Sequence, residues 1–101
     1  MKAFYGMARI YKDELCDKYY TKEINLEYYK INHKNVEKQY GIEVIKWGLE
    51  NDTKIEESKT ILNITNEETV INTILDKLKE NRVTPVCLAE IIEEFKFQFN
   101  N

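Results

Sequence analysis

The 101-residue chain holds only two cysteines, one proline, three glycines and one histidine, and each scarcity removes a class of protein. Two cysteines cannot staple a small secreted scaffold, and with His33 alone they do not make up the four-ligand set of a structural zinc site. Gly6, Gly41 and Gly48 stand singly, so there is no glycine-rich loop to cradle a phosphate. No run approaches the roughly 18 apolar residues that cross a bilayer, and Met1 to Arg9 contains no long apolar stretch. The expectation is a reduced, cytoplasmic protein with no membrane contact, no metal and no cofactor. Any Ser-His-Asp or Cys-His arrangement must use His33, which sits in the polar Asn32-His33-Lys34-Asn35 stretch and reads as a solvated loop residue.

What remains is ample for one folded core. Hydrophobic residues make up 43% of the chain, aromatics 12% and charged residues 33%, too sticky a composition for a disordered segment and the right length for a single domain over residues 1–101. Residues 1–46 carry nine Lys/Arg against seven Asp/Glu, whereas residues 47–101 carry six against eleven. The molecule is therefore polar, with a mildly basic half and an acidic one. Lys18, Lys22, Lys30, Lys34 and Lys38 are interleaved with Glu23, Glu27 and Glu37, which argues against the concentrated basic footprint of direct nucleic-acid binding.

Apolar periodicity divides the chain into a sheet half, 1–62, and a helical half, 65–99. Ala3 to Lys12 alternates as a strand, with Phe4, Gly6, Ala8 and Ile10 on one side and Tyr5, Met7, Arg9 and Tyr11 on the other. Asp13 to Lys18 is the expected hairpin connection. Tyr19 to Ile31 alternates most clearly, Ile24, Leu26 and Tyr28 opposing Glu23, Asn25, Glu27 and Tyr29. A third strand fits Gln39 to Trp47, Asn51-Asp52-Thr53 turns the chain, and Lys54 to Leu62 reads as a charged edge strand. Gly6 and Ala8 are small enough to let a helix approach closely.

Helix signals follow. Thr65 with Glu68 has capping-box spacing, and Val70, Ile71, Ile74, Leu75 and Leu78 form one helical stripe that ends at Asn81. Thr84 and Pro85 restart a helix, with Val83 placed to pack on Leu88; Leu88, Ile91, Ile92 and Phe95 form its apolar stripe. Phe97 and Phe99 extend past a fraying end as helix or extended tail. The expected fold is α+β: a four-stranded antiparallel meander followed by two C-terminal helices packed on one sheet face.

Chemistry-bearing residues are sparse. Cys87 falls in the first turn of the second helix, where the dipole favours a thiolate, but its place beside Leu88 reads as core filling. Cys16 reads as a surface residue. Adjacent acids at Asp13/Glu14, Glu56/Glu57, Glu67/Glu68 and Glu93/Glu94 diverge on a helix or strand and form no preformed dyad. No catalytic residue is assigned. The strongest feature is aromatic: if the helices cover Phe4, Ile10, Ile24, Leu26, Ile42 and Val44, then Tyr5, Met7, Arg9, Tyr11, Tyr29, Ile45 and Trp47 share the opposite face. Those residue types are the ones enriched at interface cores.

Phe4-Tyr5-Gly6, Tyr40-Gly41-Ile42-Glu43-Val44 and Asn81-Arg82-Val83-Thr84-Pro85-Val86-Cys87-Leu88 with Ile91-Ile92-Glu93 resemble an uncharacterised domain-of-unknown-function family of short proteins from anaerobic, spore-forming Firmicutes. The resemblance implies a fold and a bacterial cytosolic setting, and supplies no activity; members of the family tend to carry His where this chain has Cys87. The leading expectation is a non-enzymatic protein-protein interaction module, a homodimer or adaptor, working through the aromatic face. The alternative is a small acidic inhibitor or phage-type, anti-CRISPR-like regulator that presents Glu56, Glu57, Glu67, Glu68, Glu90, Glu93 and Glu94 to a nucleic-acid-handling enzyme. A third reading is a thiol enzyme pairing Cys87 or Cys16 with His33.

Overall fold

A computed structural model describes residues 1–11, 23–34, 36–50 and 52–99. Four strands, β1 (Lys2–Ile10), β2 (Ile24–Asn32), β3 (Tyr40–Glu50) and β4 (Thr53–Thr65), precede α1 (Glu68–Glu80) and α2 (Pro85–Phe99). The strands pair antiparallel in the order β1-β2-β3-β4, so the expected meander and helix pair are what the chain forms. The expected hairpin connection Asp13 to Lys18, the segment Tyr19 to Lys22 and Cys16 lie outside the described residues.

One face of the sheet carries the core. Leu26 and Tyr28 of β2 and Ile42 and Val44 of β3 are fully buried against Ile71, Ile74, Leu75 and Leu78 of α1 and Leu88 and Ile92 of α2. These are the apolar stripes read from the sequence, and excluding water from them is the main force holding helices to sheet. Along α1, Asp76 meets Tyr5 and Lys79 comes beside Gly6, which sets this helix over β1 and β2. Packing of α2 is mainly against β4 and β3.

A ring of polar contacts seals the α1 margin. The Tyr5 hydroxyl lies 2.8 Å from Asp76 Oδ1 and 3.3 Å from the Asn72 carbonyl, while Lys30 Nζ donates to Asn72 Oδ1 at 3.0 Å and reaches Glu68 at 3.4 Å. Centrally, the buried Tyr28 hydroxyl donates to the Val83 carbonyl at 2.8 Å. That carbonyl belongs to the α1–α2 connection, a Schellman stop. Val83 N–H reaches Leu78 O at 3.0 Å, Arg82 N–H reaches Lys79 O at 3.2 Å, and Arg82 takes the left-handed φ of 50° that the motif demands. Asn81 is the C-cap, as its position indicated, and its side chain donates to the Lys77 carbonyl at 2.9 Å.

Several expectations need correction. The strands run longer at the third hairpin, where β3 continues through Gly48 to Glu50 and β4 begins at Thr53, since the ladder stays paired up to the turn at which Asp52 adopts a φ of 67°; at its other end β4 runs on to Thr65, paired with Tyr40. The Thr65–Glu68 capping box does not form. Thr65 is still strand, α1 starts after Glu67, and the Thr65 hydroxyl accepts from the Glu67 N–H at 3.1 Å while Glu68 turns to Lys30 and Tyr40. Cys87 is exposed, not core; the buried line of α2 runs through Leu88 and Ile92, and a residue one position before Leu88 is rotated about 100° from it. The helix continues to Phe99, and Phe97 is exposed on it.

Two bulges shape the sheet. In β1 the register shifts between Phe4, opposite Tyr29, and Gly6, opposite Tyr28, so Tyr5 is an inserted residue. Near the end of β4 the register shifts again: Tyr40 opposes Thr65 and Ile42 opposes Ile61, with Asn63 at a φ of 58° and Ile64 turned into the core. Gly41 faces this second bulge. A Cβ there would meet the Ile61 carbonyl oxygen at 2.6 Å and Leu62 Cα at 3.0 Å, both backbone, whereas one at Gly6 would meet only the flexible Lys79 side chain at 2.9 Å. Gly41, more than Gly6, is thus the position at which the fold requires glycine.

Gly41→Ala is therefore expected to cost about 1–3 kcal/mol and Gly6→Ala less than about 0.5 kcal/mol, read from urea denaturation midpoints. Tyr28→Phe, which strands the Val83 carbonyl, is expected to cost about 1–2 kcal/mol with the fold intact by circular dichroism.

Candidate functional site: the open sheet face

Both helices lie on one side of the sheet, so β-strand alternation sends the other side chains to a face with no layer over it among the described residues. Register places them in rows: Phe4, Tyr29, Glu43 and Thr60; then Met7, Glu27, Ile45 and Ser58; then Arg9, Asn25, Trp47 and Glu56. Five residues expected on this face, Met7, Arg9, Tyr29, Ile45 and Trp47, are indeed brought together on it. Tyr5 is not. The β1 bulge carries its ring to the helix side, where it bonds Asp76, and Phe4 takes the outer position instead. Tyr11 follows the end of β1 and is exposed.

The face is not a plain aromatic patch. Glu27 is chelated by two aromatic donors, Tyr29 Oη to Oε1 at 2.8 Å and Trp47 Nε1 to Oε2 at 2.9 Å. A half-buried carboxylate held in this way keeps both rings in fixed orientation. Lys2 sits 4.8 Å from the Tyr29 ring centroid and Lys54 4.9 Å from that of Trp47, each in cation–π range. Lys2 Nζ also pairs with Glu43 Oε1 at 2.6 Å, and Thr60 donates to Glu43 Oε2 at 2.9 Å. The Phe4 ring stands edge-on to Tyr29 with centroids 5.6 Å apart. Sequence reading found the rings but missed Glu27, Glu43 and Lys2, because charged residues on a solvent-facing strand side carry no signal until register reveals their neighbours.

Apolar surface remains uncovered at both margins. Phe4 is 58% exposed and Met7 41% on β1, and Leu62 is 42% exposed on β4, its Cδ2 lying against Gly41. Charge is balanced between Lys2, Arg9 and Lys54 and the carboxylates of Glu27, Glu43 and Glu56.

The seven acidic residues of the alternative surface do not share one face. Glu56 points outward and lies 3.2 Å from Lys54, Glu57 is 3.7 Å from Lys46, Glu68 is 3.4 Å from Lys30, and Glu93 is 3.9 Å from Lys96. Glu67 precedes α1, and Glu90 and Glu94 are exposed on α2. His33 follows β2 at the end of the sheet where Thr65 meets Tyr40, whereas Cys87 opens α2, whose far end approaches Thr65; fold topology sets the two at opposite ends. Among the described residues no group of three or more His, Cys, Asp or Glu is placed to hold a metal. No described helix is long and apolar enough to cross a membrane.

Titration reports this geometry. The Lys2 ammonium, hydrogen-bonded to Glu43, holds that carboxyl below its usual 4.5, against a smaller opposing effect of burial. Bonding to Glu27, then burial and the surrounding carboxylates, push the Tyr29 phenol up. Burial and then the Asp76 bond push Tyr5 up to about 12, and burial raises Tyr28 as well. A lowered carboxyl stabilises the fold above its unfolded value and loses that contribution as pH falls through the folded one. A raised phenol stabilises below its unfolded value of 10.0 and loses the contribution as pH rises. Stability is accordingly expected to decline below about pH 4.5 and again between pH 10 and about 12. Glu43→Gln should flatten the acid limb of the unfolding midpoint, and Tyr5→Phe should remove one late-titrating phenol from the tyrosinate absorbance curve.

No curated protein and no solved structure matches the chain. A family model described as a family of unknown function, DUF6514, matches residues 7–97, which include β2 to β4, α1, all but the last two residues of α2, and the Met7, Arg9, Tyr29, Ile45 and Trp47 positions of the open face; the protein belongs to that family.

Proposed function

We propose that the protein is a non-enzymatic protein-protein interaction module of the bacterial cytosol that engages its partner through the open sheet face. The observation that carries this reading is the pre-ordered Tyr29–Glu27–Trp47 cluster beside exposed Phe4 and Met7 on a face that no described element covers. Rings already locked by a chelated carboxylate lose little side-chain freedom on binding, which is what makes aromatic anchors effective at interfaces. Balanced charge on the face suits another protein surface better than a polyanion. The acidic-inhibitor alternative draws on carboxylates of which Glu56, Glu57, Glu68 and Glu93 already stand within 4 Å of lysines, leaving a diffuse surface for mimicking phosphates.

A photo-crosslinking amino acid placed at position 7 of the full chain in its native cells tests the reading against the same probe at position 90 on α2. Discrete adducts are expected from position 7 and none from position 90, with the former lost on Phe4→Asp or Leu62→Asp. Equal labelling from both positions, or none from position 7, overturns it.

A further inference from the structure

Resting on the reading that the open face is a docking surface, we infer that its occupant is a second copy of the same chain. The two sheets would pack face to face about a two-fold axis running parallel to the strands. This arrangement lays β1 of one copy across β4 of the other, at the same level along the strands. In that pairing β1 brings Lys2 and Arg9, no acid, and exposed Phe4 and Met7 against the outward side of β4, which carries Glu56 with Lys54 3.2 Å from it, and exposed Leu62.

The sheet rows set the contacts. Arg9, Asn25, Trp47 and Glu56 form one row across the sheet, so the two-fold brings each Arg9 over the Glu56 of the other copy. Phe4 shares a row with Thr60 and meets the other copy's Thr60, with Leu62 near it. The other in-plane two-fold, perpendicular to the strands, lays β1 over its own symmetry mate. There Arg9 approaches the second copy's Lys2, an opposition of like charges. Equal numbers of Lys/Arg and Asp/Glu on the face leave no net repulsion between copies, and isologous pairing asks only that one surface complement itself.

Area is sufficient. Four strands about 4.8 Å apart and about 30 Å long present roughly 19 Å by 30 Å, or about 1,100 Å² for the two copies together, above the roughly 1,000 Å² that a specific interface needs. Two such sheets stack about 10 Å apart as an eight-stranded sandwich with both helix pairs outside.

The test is the mass of the purified full-length chain by light scattering and sedimentation from micromolar to millimolar concentration. The variants are Arg9→Glu, Glu56→Arg and the two combined, each checked for fold by circular dichroism. Twice the 12.1 kDa chain mass is expected for the wild type. Each single charge reversal should weaken self-association about tenfold or more, and the combined change should restore it to within about threefold. A monomer at every concentration overturns the inference, as does a dimer unmoved by the single changes or unrestored by the double one. Should a monomeric chain still crosslink a different protein from position 7, self-pairing fails and the docking face stands; a monomer with no adduct removes both.

Discussion

Burial of the apolar stripes holds the helices to the sheet, and the hydrogen bond from the Tyr28 hydroxyl to the Val83 carbonyl is the polar contact that sets where the α1–α2 corner sits within that packing. Tyr28 is fully exclusive of solvent at the centre of the sheet, and a buried phenol without an acceptor would carry its desolvation cost uncompensated. Its acceptor is the peptide just past the Schellman stop of α1. One bond therefore docks the α1–α2 corner onto β2, and the stripes of both helices then have one surface on which to close. The left-handed Arg82 that makes the corner possible also reaches back, its Nη1 donating to the Arg9 carbonyl on β1 at 3.3 Å.

With two helices committed to one side, the other side of the sheet has, among the described residues, only its own side chains to satisfy it. Glu27 finds donors in Tyr29 and Trp47, Glu43 in Lys2 and Thr60. The result is a face on which Glu27 and Glu43 are paired within the chain while its margins keep Phe4, Met7 and Leu62 exposed. Paired polar groups lower the desolvation cost of covering the face, and exposed apolar margins supply a reason to cover it. This combination distinguishes the face from the helical surface, where Glu90, Glu93 and Glu94 keep α2 well hydrated.

Much of this was legible beforehand where a local rule governs. The stripes of α1 and α2 follow the helical period and Pro85 starts α2 because an N–H is dispensable there. Alternation in Ile24 to Ile31 gave the central strand its two faces. Errors arose where a non-local contact prevailed. Phe4 and Tyr5 exchanged faces because β2 pairs with β1 through a bulge, a feature of two strands and not of one. Thr65 kept its strand pairing with Tyr40 instead of capping α1. Cys87 lost its expected burial because only a narrow line of α2 reaches the sheet.

Sequence alone determined the class of the fold and the composition of its core, since periodicity and turn chemistry act over a few residues and leave their mark in the order of side chains. It also named Met7, Arg9, Tyr29, Ile45 and Trp47 as companions on one side of a sheet. Only the tertiary structure decided that Glu27 joins Tyr29 to Trp47, that Lys2 holds Glu43 across 41 positions of chain, and that Gly41 lies against a bulge in β4. Those contacts depend on register and bulges, which are set when strands far apart in the chain meet, and no single strand records its partner's side chains.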